Sequence, residues 1–438
     1  MRRLGSVAAL CLLVLLASSP VRPSQNTQAT VGPTGVAKHN GVAFEHAWGR
    51  RAASFGYGTA ASGDSLTKLK DLGVTWISVT PFGFQRKPSD SVIRWGRSGG
   101  GETDERLRAV VTQAHARGIS VMLKPHIWLR PPAWVGMVAS QTEADWEAWF
   151  ASYRTFILHF AVLAEETGIE ALCIGNELKE TTHREREWRD LIADIRGVYN
   201  GDLTYGAHAD ELWTLPFWDA VDYIGVSAYF SLANRPSPTR AEMVAAWHPH
   251  VSRLGKLSAQ WDRPVLFTEL GYRSVDFAAQ YPWKFDGTTQ VNLELQADAY
   301  SAFFEAVWPQ PWFAGVHWWK WRSSLEDGGP GNDDYTPRLK PAEDVLKHFY
   351  KREATGWQHL DPLTRQRADA SPGNHDPNQV QRVRRRHTQG CALGVLTRRA
   401  AEQPESFERV GECELLTQKT VDKPTPSNFA ARLQSPQR

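Results

Sequence analysis

The sequence has few cysteines and almost no excess of charge of either sign. Four cysteines in 438 residues are too few for a disulfide-stabilised scaffold, and none has the spacing of zinc ligands. The 50 Lys plus Arg residues nearly balance the 48 Asp plus Glu residues. That balance argues against a protein that binds nucleic acid or another polyanion.

Long apolar runs are also scarce. The one near the start of the chain covers residues 7–17, follows Arg2 and Arg3, and is followed by small residues. This pattern is typical of an export signal and is too short to span a bilayer, although a buried helix has a similar composition. We therefore expect residues 1–30 to be a signal and linker. The mature protein is expected to be secreted or periplasmic with no stable membrane insertion, and a tethered form stays open.

The other end of the chain differs from the rest in charge. Residues 351–438 carry 15 Lys plus Arg and 10 Asp plus Glu, include the run RVRRRH, and are predicted to be a low-complexity, disordered tail. The basic run is interpreted as a solvated cluster, with nucleic acid or anionic lipid as the alternative. Whether Cys391 and Cys413 in this tail pair with each other stays open.

Between the two ends, short apolar runs alternate with amphipathic helical patterns. The runs are apolar on both alternations, as in strands buried on two faces of a parallel sheet. The eight runs are residues 54–59, 74–82, 119–128, 169–178, 203–209, 221–230, 264–272 and 313–321. Helices are predicted after most of them, for example over 103–117 and 142–167, each beginning at a capping Thr and ending at a Gly.

This order predicts an α/β fold, a (β/α)8 TIM barrel over residues 45–350. An open, doubly wound sheet is the alternative. That fold often carries a glycine fingerprint after its first strand, and the segment FGYGTAASG lacks the third glycine of that fingerprint.

Two carboxylates interrupt the predicted strands where a parallel barrel carries its chemistry. Glu177 follows Asn176 at the end of the fourth strand, and Glu269 ends the seventh. Strand alternation places Glu177 on the side of Cys173 and Glu269 on the side of Phe267, and we expect both sides to face the barrel axis. Each carboxylate alone is readily explained by pairing with a nearby cation, whereas the two together suit glycoside hydrolysis.

Other strand ends offer the aromatic and polar groups that a sugar site needs. Several of these tryptophans are expected to be core residues instead. The candidate binding residues are Tyr57 on the first strand, Lys124, His126 and Trp128 on the third, His208 on the fifth, Tyr229 on the sixth, Trp319 and Trp321 on the eighth, and Trp283 in the loop over 274–289.

The segments KPHIWL, IGNEL, FWDAVDYIGVSAYF, VLFTELGYRS and HWWKW occur in order and resemble glycoside hydrolase family 113. The resemblance covers roughly residues 54–350. It implies a retaining barrel glycosidase that acts mainly as an endo-β-1,4-mannanase. Glu177 would be the general acid/base and Glu269 the nucleophile.

The same resemblance assigns three supporting roles. Asn176 would hydrogen-bond the sugar 2-hydroxyl, Tyr229 would hydrogen-bond the nucleophile, and Trp319 or Trp321 would form a stacking floor. The expected partner is a β-linked polysaccharide or oligosaccharide, with no cofactor and no metal, and the oligomeric state is open.

Three other functions compete with this one. A retaining β-glycosidase of different glycan specificity keeps the same chemistry. A metal-dependent barrel hydrolase would need His126, His208, Asp210 and His317 to converge, but the early HxH pair typical of such sites is missing from the first predicted strand. A non-catalytic glycan-binding barrel would have no need for two opposed carboxylates.

Overall fold

The computed structural model describes residues 37–96, 101–130, 132–285 and 290–353. The predicted export segment, most of the predicted tail, Cys391 and Cys413 lie outside these residues, as do parts of the loops over 96–101 and 274–289. Within the described residues, no helix is both long and apolar enough to span a bilayer.

Eight parallel strands close into a barrel, so the predicted (β/α)8 fold is confirmed. Neighbouring strands follow the order β1-β10-β9-β8-β7-β6-β4-β2. The barrel strands are β1 (His39–Glu45), β2 (Trp76–Val79), β4 (Ser120–Leu123), β6 (Ala171–Asn176), β7 (Asp202–His208), β8 (Tyr223–Ser227), β9 (Val265–Leu270) and β10 (Phe313–Arg322).

Two further strands form a separate parallel pair, β3 (Phe82–Gln85) with β5 (His126–Leu129). The sequence predicted single long strands over 74–82 and 119–128. Each of these runs is instead divided in the structure at a proline, Pro81 in the first and Pro125 in the second. Proline lacks the N–H that a barrel strand must donate, so the ladder stops there and the chain continues in the second pair.

The helices begin close to where their caps predict. The side chain of Thr103 accepts from the amide of Arg106 at the start of α3, and Thr142 caps α4 in the same way. The helices are α1 (Ala52–Phe55), α2 (Ala60–Asp71), α3 (Asp104–His115), α4 (Glu143–Thr167), α5 (Glu185–Arg196), α6 (Arg240–Trp261), α7 (Leu293–Ala306) and α8 (Pro341–Glu353).

The predicted first strand is wrong. Residues 54–59 contain the end of α1 and a turn, and the first barrel strand is β1, which begins at His39. The segment HNGVAFE has few apolar residues because β1 packs backbone against backbone at Gly41, where a Cβ would lie 2.6 Å from the carbonyl oxygen of Val316. A strand whose backbone packs this closely against its neighbour needs few apolar side chains, so a prediction based on apolar runs does not detect it.

The barrel interior is small and mixed in polarity. It contains Met122, Cys173 and Leu266 from three different strands, and a buried histidine pair in which His39 Nδ1 lies 3.1 Å from His317 Nε2. Tryptophan and phenylalanine residues instead fill the layer between strands and helices.

Candidate active site

Glu177 and Glu269 lie at the carboxyl-terminal end of the barrel, Glu269 within β9 and Glu177 directly after β6. Tyr229, which follows β8, interacts electrostatically with both. Burial and the negative charges of Glu269 and Glu177 raise the pKa of Tyr229 well above its usual value. The two carboxylates therefore share one mouth, with the protonated Tyr229 hydroxyl near both.

Glu269 is buried and surrounded by donors. The ammonium group of Lys124 pairs with its Oε1 atom, and His126 Nε2 lies 3.5 Å from the same oxygen. The hydroxyl of Tyr229 donates to Oε2 at 3.1 Å. Burial alone would raise the pKa of Glu269, but the positive charge of Lys124 and the contact with His126 outweigh it and hold that pKa below its usual range. Glu269 is thus ionised at neutral pH.

Glu177 has a different environment. The indole N–H of Trp134 donates to its Oε2 atom at 3.0 Å. Its backbone lies in the left-handed region with φ of 52°, a conformation that costs a non-glycine residue about 1–2 kcal/mol. Its own N–H donates to the carbonyl of Gly206 at 2.8 Å, so the adjacent strand β7 supports the turn that presents this carboxylate.

Regular alternation along the strands does not explain the direction of either carboxylate, because each strand contains an irregularity before its glutamate. On β6, Cys173 faces the interior, but a Cβ on Gly175 would meet the rings of Trp188 and Tyr205 on the helix side. A register shift between Cys173 and Asn176 explains the change. An extra residue in one strand reverses the faces that follow, so alternation cannot be carried across it.

The same correction applies to β9. Phe267 packs against Trp247 and Phe303 on the helix side rather than toward the axis. Between strands β8 and β9, the pairing moves from Val226 with Phe267 to Ser227 with Glu269, skipping one residue of β9. This bulge turns Glu269 into the mouth, although Phe267 two positions earlier faces outward.

Asn176 is buried beside Glu177. Neither its Oδ1 nor its Nδ2 atom has a hydrogen-bond partner among the described residues. Its amide packs closely on β7, since a Cβ on Gly206 would lie 2.4 Å from Asn176 Oδ1. A buried amide without partners costs free energy unless a ligand or water pairs with it.

The structure separates the two candidate tryptophans of β10. Trp321 is 0% exposed and its indole N–H donates to Ser65 of α2 at 2.9 Å, so it is a core residue between barrel and helix. Its predicted role as a sugar platform is wrong. Trp319 is partly exposed and lies under Lys124, whose Nζ is 5.5 Å from the ring centroid. The structure therefore places Trp319, rather than Trp321, beside the Lys124–Glu269 pair.

A small pocket adjoins Trp319. Its wall includes the aromatic residues Trp48 and Phe82 and the carboxylate of Glu45. Tyr57 also borders it. The prediction placed Tyr57 on a strand, but it lies in the turn after α1. Its hydroxyl donates to the carbonyl of Phe44, so that group is already committed to the backbone.

The remaining predicted residues are more dispersed. Trp128 lies on β5 against Phe84, with ring centroids 5.9 Å apart, and Trp283 contacts Tyr281 in the loop after β9. His208 ends β7 and places its ring 5.2 Å from that of Trp134. His208 thereby contacts the residue that donates to Glu177.

Sequence reasoning missed Trp134, Tyr205 and Glu211. Trp134 stands in the segment RPPAWVG, which lies between predicted elements and away from any predicted strand end. Glu211 follows β7 in a stretch that contains two short 3-10 helices, Glu211–Trp213 and Trp218–Ala220. A carboxylate three residues after His208 was the available signal.

The four residues of the metal-site alternative do not converge. His317 pairs with His39 inside the barrel, whereas Asp210 is exposed beside His208 at the mouth. Within the described residues, no group of three or more His, Cys, Asp or Glu side chains is arranged to hold a metal ion.

A closed barrel whose mouth combines two glutamates with an aromatic floor is the arrangement of a glycoside hydrolase. Comparison with family models identifies which one. Residues 46–340 match the model of Glycoside Hydrolase Family 113, and the chain belongs to that family.

Solved structures of the family are similar to this chain. The GH113 β-mannanase of Alicyclobacillus acidocaldarius, in complex with ManMIm, is 29% identical with a TM-score of 0.65, and the match covers 72% of this chain and 98% of that one. A complex of a GH113 β-1,4-mannanase is 27% identical with a TM-score of 0.64, covering 72% and 99%. A comparison with curated proteins finds no matching sequence.

Proposed function

We propose that this glycoside hydrolase cleaves β-1,4-mannosidic bonds in mannan or manno-oligosaccharides and retains the configuration of the anomeric carbon. Family membership supports glycoside hydrolysis. The similar solved structures are described as β-mannanases or β-1,4-mannanases, which supports the sugar and the linkage.

Two displacements make up the reaction. Glu269 attacks the anomeric carbon, forming an ester bond while the bond to the leaving oxygen breaks, and Glu177 gives that oxygen a proton. Water then attacks the same carbon after losing a proton to Glu177, and the ester bond to Glu269 breaks. Both glutamates return to their starting states, and the two inversions give net retention.

The observation that carries this proposal is the unequal pairing of the two carboxylates. Lys124 and Tyr229 hold Glu269 ionised and oriented through both of its oxygens, as a nucleophile requires. Glu177 accepts from the neutral indole of Trp134, and we assign it the proton transfers of both steps.

Substrate contacts follow from the neighbouring groups. The unpartnered amide of Asn176 would pair with the 2-hydroxyl of the sugar bound at the reacting carbon. Trp319 would stack on an apolar sugar face, as aromatic side chains do.

The decisive experiment combines product analysis with two carboxylate variants. The purified protein is incubated with a panel of β-linked polysaccharides, and the anomer released first is followed by NMR. We expect hydrolysis of β-mannan with the β-anomer appearing first. Glu269→Ala should lower the rate by about 10⁴-fold or more, the scale seen when covalent enzymes lose a nucleophile, and Glu177→Ala by about 10²- to 10⁴-fold.

Glu180→Ala is the matched control, because Glu180 is an exposed carboxylate three residues beyond Glu177 and should leave the rate unchanged. Initial release of the α-anomer would contradict the double displacement. Faster hydrolysis of another polysaccharide would be compatible with the double displacement but would contradict mannan as the substrate. Mannan binding without hydrolysis would indicate a glycan-binding barrel instead.

A further inference from the structure

A third carboxylate lies behind the mouth and has no part in the two displacements. Glu211 is only 2% exposed and begins the short 3-10 helix after β7. Its Oε1 atom accepts from the backbone N–H of His208 at 2.8 Å and from the hydroxyl of Tyr205 at 3.3 Å. Its Oε2 atom has no hydrogen-bond partner among the described residues.

Tyr205 connects this carboxylate to the turn that carries Glu177. The Tyr205 hydroxyl accepts from the backbone N–H of Leu178 at 2.8 Å. Its single hydrogen is then directed to Glu211. The Tyr205 ring is buried edge-on against Trp188 of α5, with centroids 5.3 Å apart, so the hydroxyl has a defined position.

The Leu178 amide matters because it immediately follows Glu177. The left-handed backbone at Glu177 is unfavourable for a residue with a side chain and persists only where the surroundings hold it. Its two flanking peptide groups are held from β7: Glu177 N–H bonds the carbonyl of Gly206, and Leu178 N–H bonds Tyr205. Losing either bond would release the backbone that aims the carboxylate.

We propose that Glu211, acting through Tyr205, is a positioning residue for Glu177: it holds the Tyr205 hydroxyl in place to receive the Leu178 amide and so maintains the turn that presents the general acid/base. The inference rests on the proposed function, since it assigns Glu177 that role. Burial and the charge of Glu177 also raise the pKa of Glu211 to about 8, so near neutral pH its carboxyl is mainly uncharged.

An uncharged carboxyl and a carboxamide present the same acceptor oxygen. Glu211→Gln should therefore preserve the acceptor for Tyr205 and His208, whereas Glu211→Leu removes it. Tyr205→Phe keeps the buried ring but removes the hydroxyl between Leu178 and Glu211. Tyr153→Phe is the matched control: its buried hydroxyl also bonds β6, donating to the carbonyl of Ile174 at 2.8 Å, but away from the Glu177 turn.

The test measures kcat/KM on aryl β-manno-oligosaccharides with good and poor leaving groups. A good leaving group departs without a proton, so only the poor one reports the general acid. Tyr205→Phe and Glu211→Leu should lose about 10- to 100-fold on poor leaving groups, as misplaced catalytic groups do, and under about threefold on good ones. Glu211→Gln and Tyr153→Phe should show no selective loss.

Three results would overturn the inference. These are equal losses on both substrate types for Tyr205→Phe, a selective loss for Tyr153→Phe, and a selective loss for Glu211→Gln as large as that for Glu211→Leu. If Glu211→Leu does not fold, the comparison of Tyr205→Phe with Tyr153→Phe still decides the matter. Glu177→Ala separates the two proposals. If Glu177→Ala loses no more on poor leaving groups than on good ones, the proposed function fails. If Glu177→Ala shows that selective loss and the Tyr205 and Glu211 variants do not, only the positioning role fails.

Discussion

The two halves of the mouth hold their carboxylates by different means. On the β9 side, Glu269 is fixed by a buried cation and a phenolic hydroxyl. On the β6 side, Glu177 is fixed by an indole and by backbone hydrogen bonds to β7. A nearby positive charge holds the pKa of Glu269 below its usual range, whereas Glu177 accepts from a neutral indole. The contrast shows that one barrel rim can place two residues of the same type in different electrostatic environments.

Replacing Lys124 should have the largest effect on this contrast. Lys124→Met removes the charge that lowers the pKa of Glu269, so burial then raises that pKa and more of the nucleophile is protonated at a given pH. We expect the acid limb of the kcat/KM profile to move to higher pH and the neutral rate to fall by about 10²- to 10³-fold. A pH–rate profile on mannan measures both.

Lys320→Met is the control for Lys124→Met. Lys320 is also buried and close to the ring of Trp319, but it pairs with Glu45 at 3.0 Å. This variant should lose stability without moving the acid limb. An unmoved acid limb in Lys124→Met would contradict the assignment of Lys124 as the charge that keeps Glu269 ionised.

Tyr229→Phe should have the second-largest effect. It removes the hydroxyl that donates to Glu269 Oε2, and a hydrogen bond to a charged group contributes about 1.5–3 kcal/mol, equivalent to roughly 10- to 100-fold in rate. Because Lys124 remains, the acid limb should move less than in Lys124→Met. An equal or larger movement of the acid limb would mean that the Tyr229 hydroxyl lowers the pKa of Glu269 more than the Lys124 ammonium group does.

Trp319→Ala should act mainly on substrate binding. Loss of aromatic stacking costs about 0.5–1.5 kcal/mol, so KM should rise about 2- to 12-fold, with a smaller change in kcat. Trp321→Phe is the comparison on the same strand. Because its indole bonds Ser65 in the core, it should lower the melting temperature and leave KM unchanged. A raised KM in Trp321→Phe would show that the two tryptophans have been assigned the wrong way round.

Trp134→Phe should have an effect no larger than that of Trp319→Ala. It deletes one neutral hydrogen bond to Glu177 Oε2, and such bonds contribute about 0.5–1.5 kcal/mol. We expect a loss of about 2- to 12-fold in kcat/KM on poor leaving groups and no movement of the acid limb. Movement of the acid limb would mean that the two halves of the mouth are not independent.

Much of the architecture could be predicted because its signals are local. Thr103 and Thr142 were correctly identified as helix caps, since capping involves residues within one turn of each other. The fourth and seventh barrel strands were found from their apolar runs, with Glu177 and Glu269 at their ends. The first strand was missed because Gly41 allows close backbone packing, and such a strand needs few apolar side chains.

The roles of individual site residues were harder to predict. Trp319 and Trp321 are two positions apart and chemically identical, and only the arrangement of β10 against α2 shows which one the mouth contains. The direction of Glu269 depends on a bulge against β8, which no pattern within β9 reveals. Lys124 was expected to bind substrate, but in the structure its ammonium group is paired with Glu269.

The sequence by itself determined the order of most strands and helices, the two strand ends that carry glutamates and the family resemblance, because each depends on residues close together along the chain. Tertiary structure alone decided which carboxylate is kept ionised. Lys124 and Glu269 are 145 positions apart, and they meet only because closing the barrel brings the ends of distant strands to one rim. Electrostatic coupling depends on that distance in space, which no local pattern encodes.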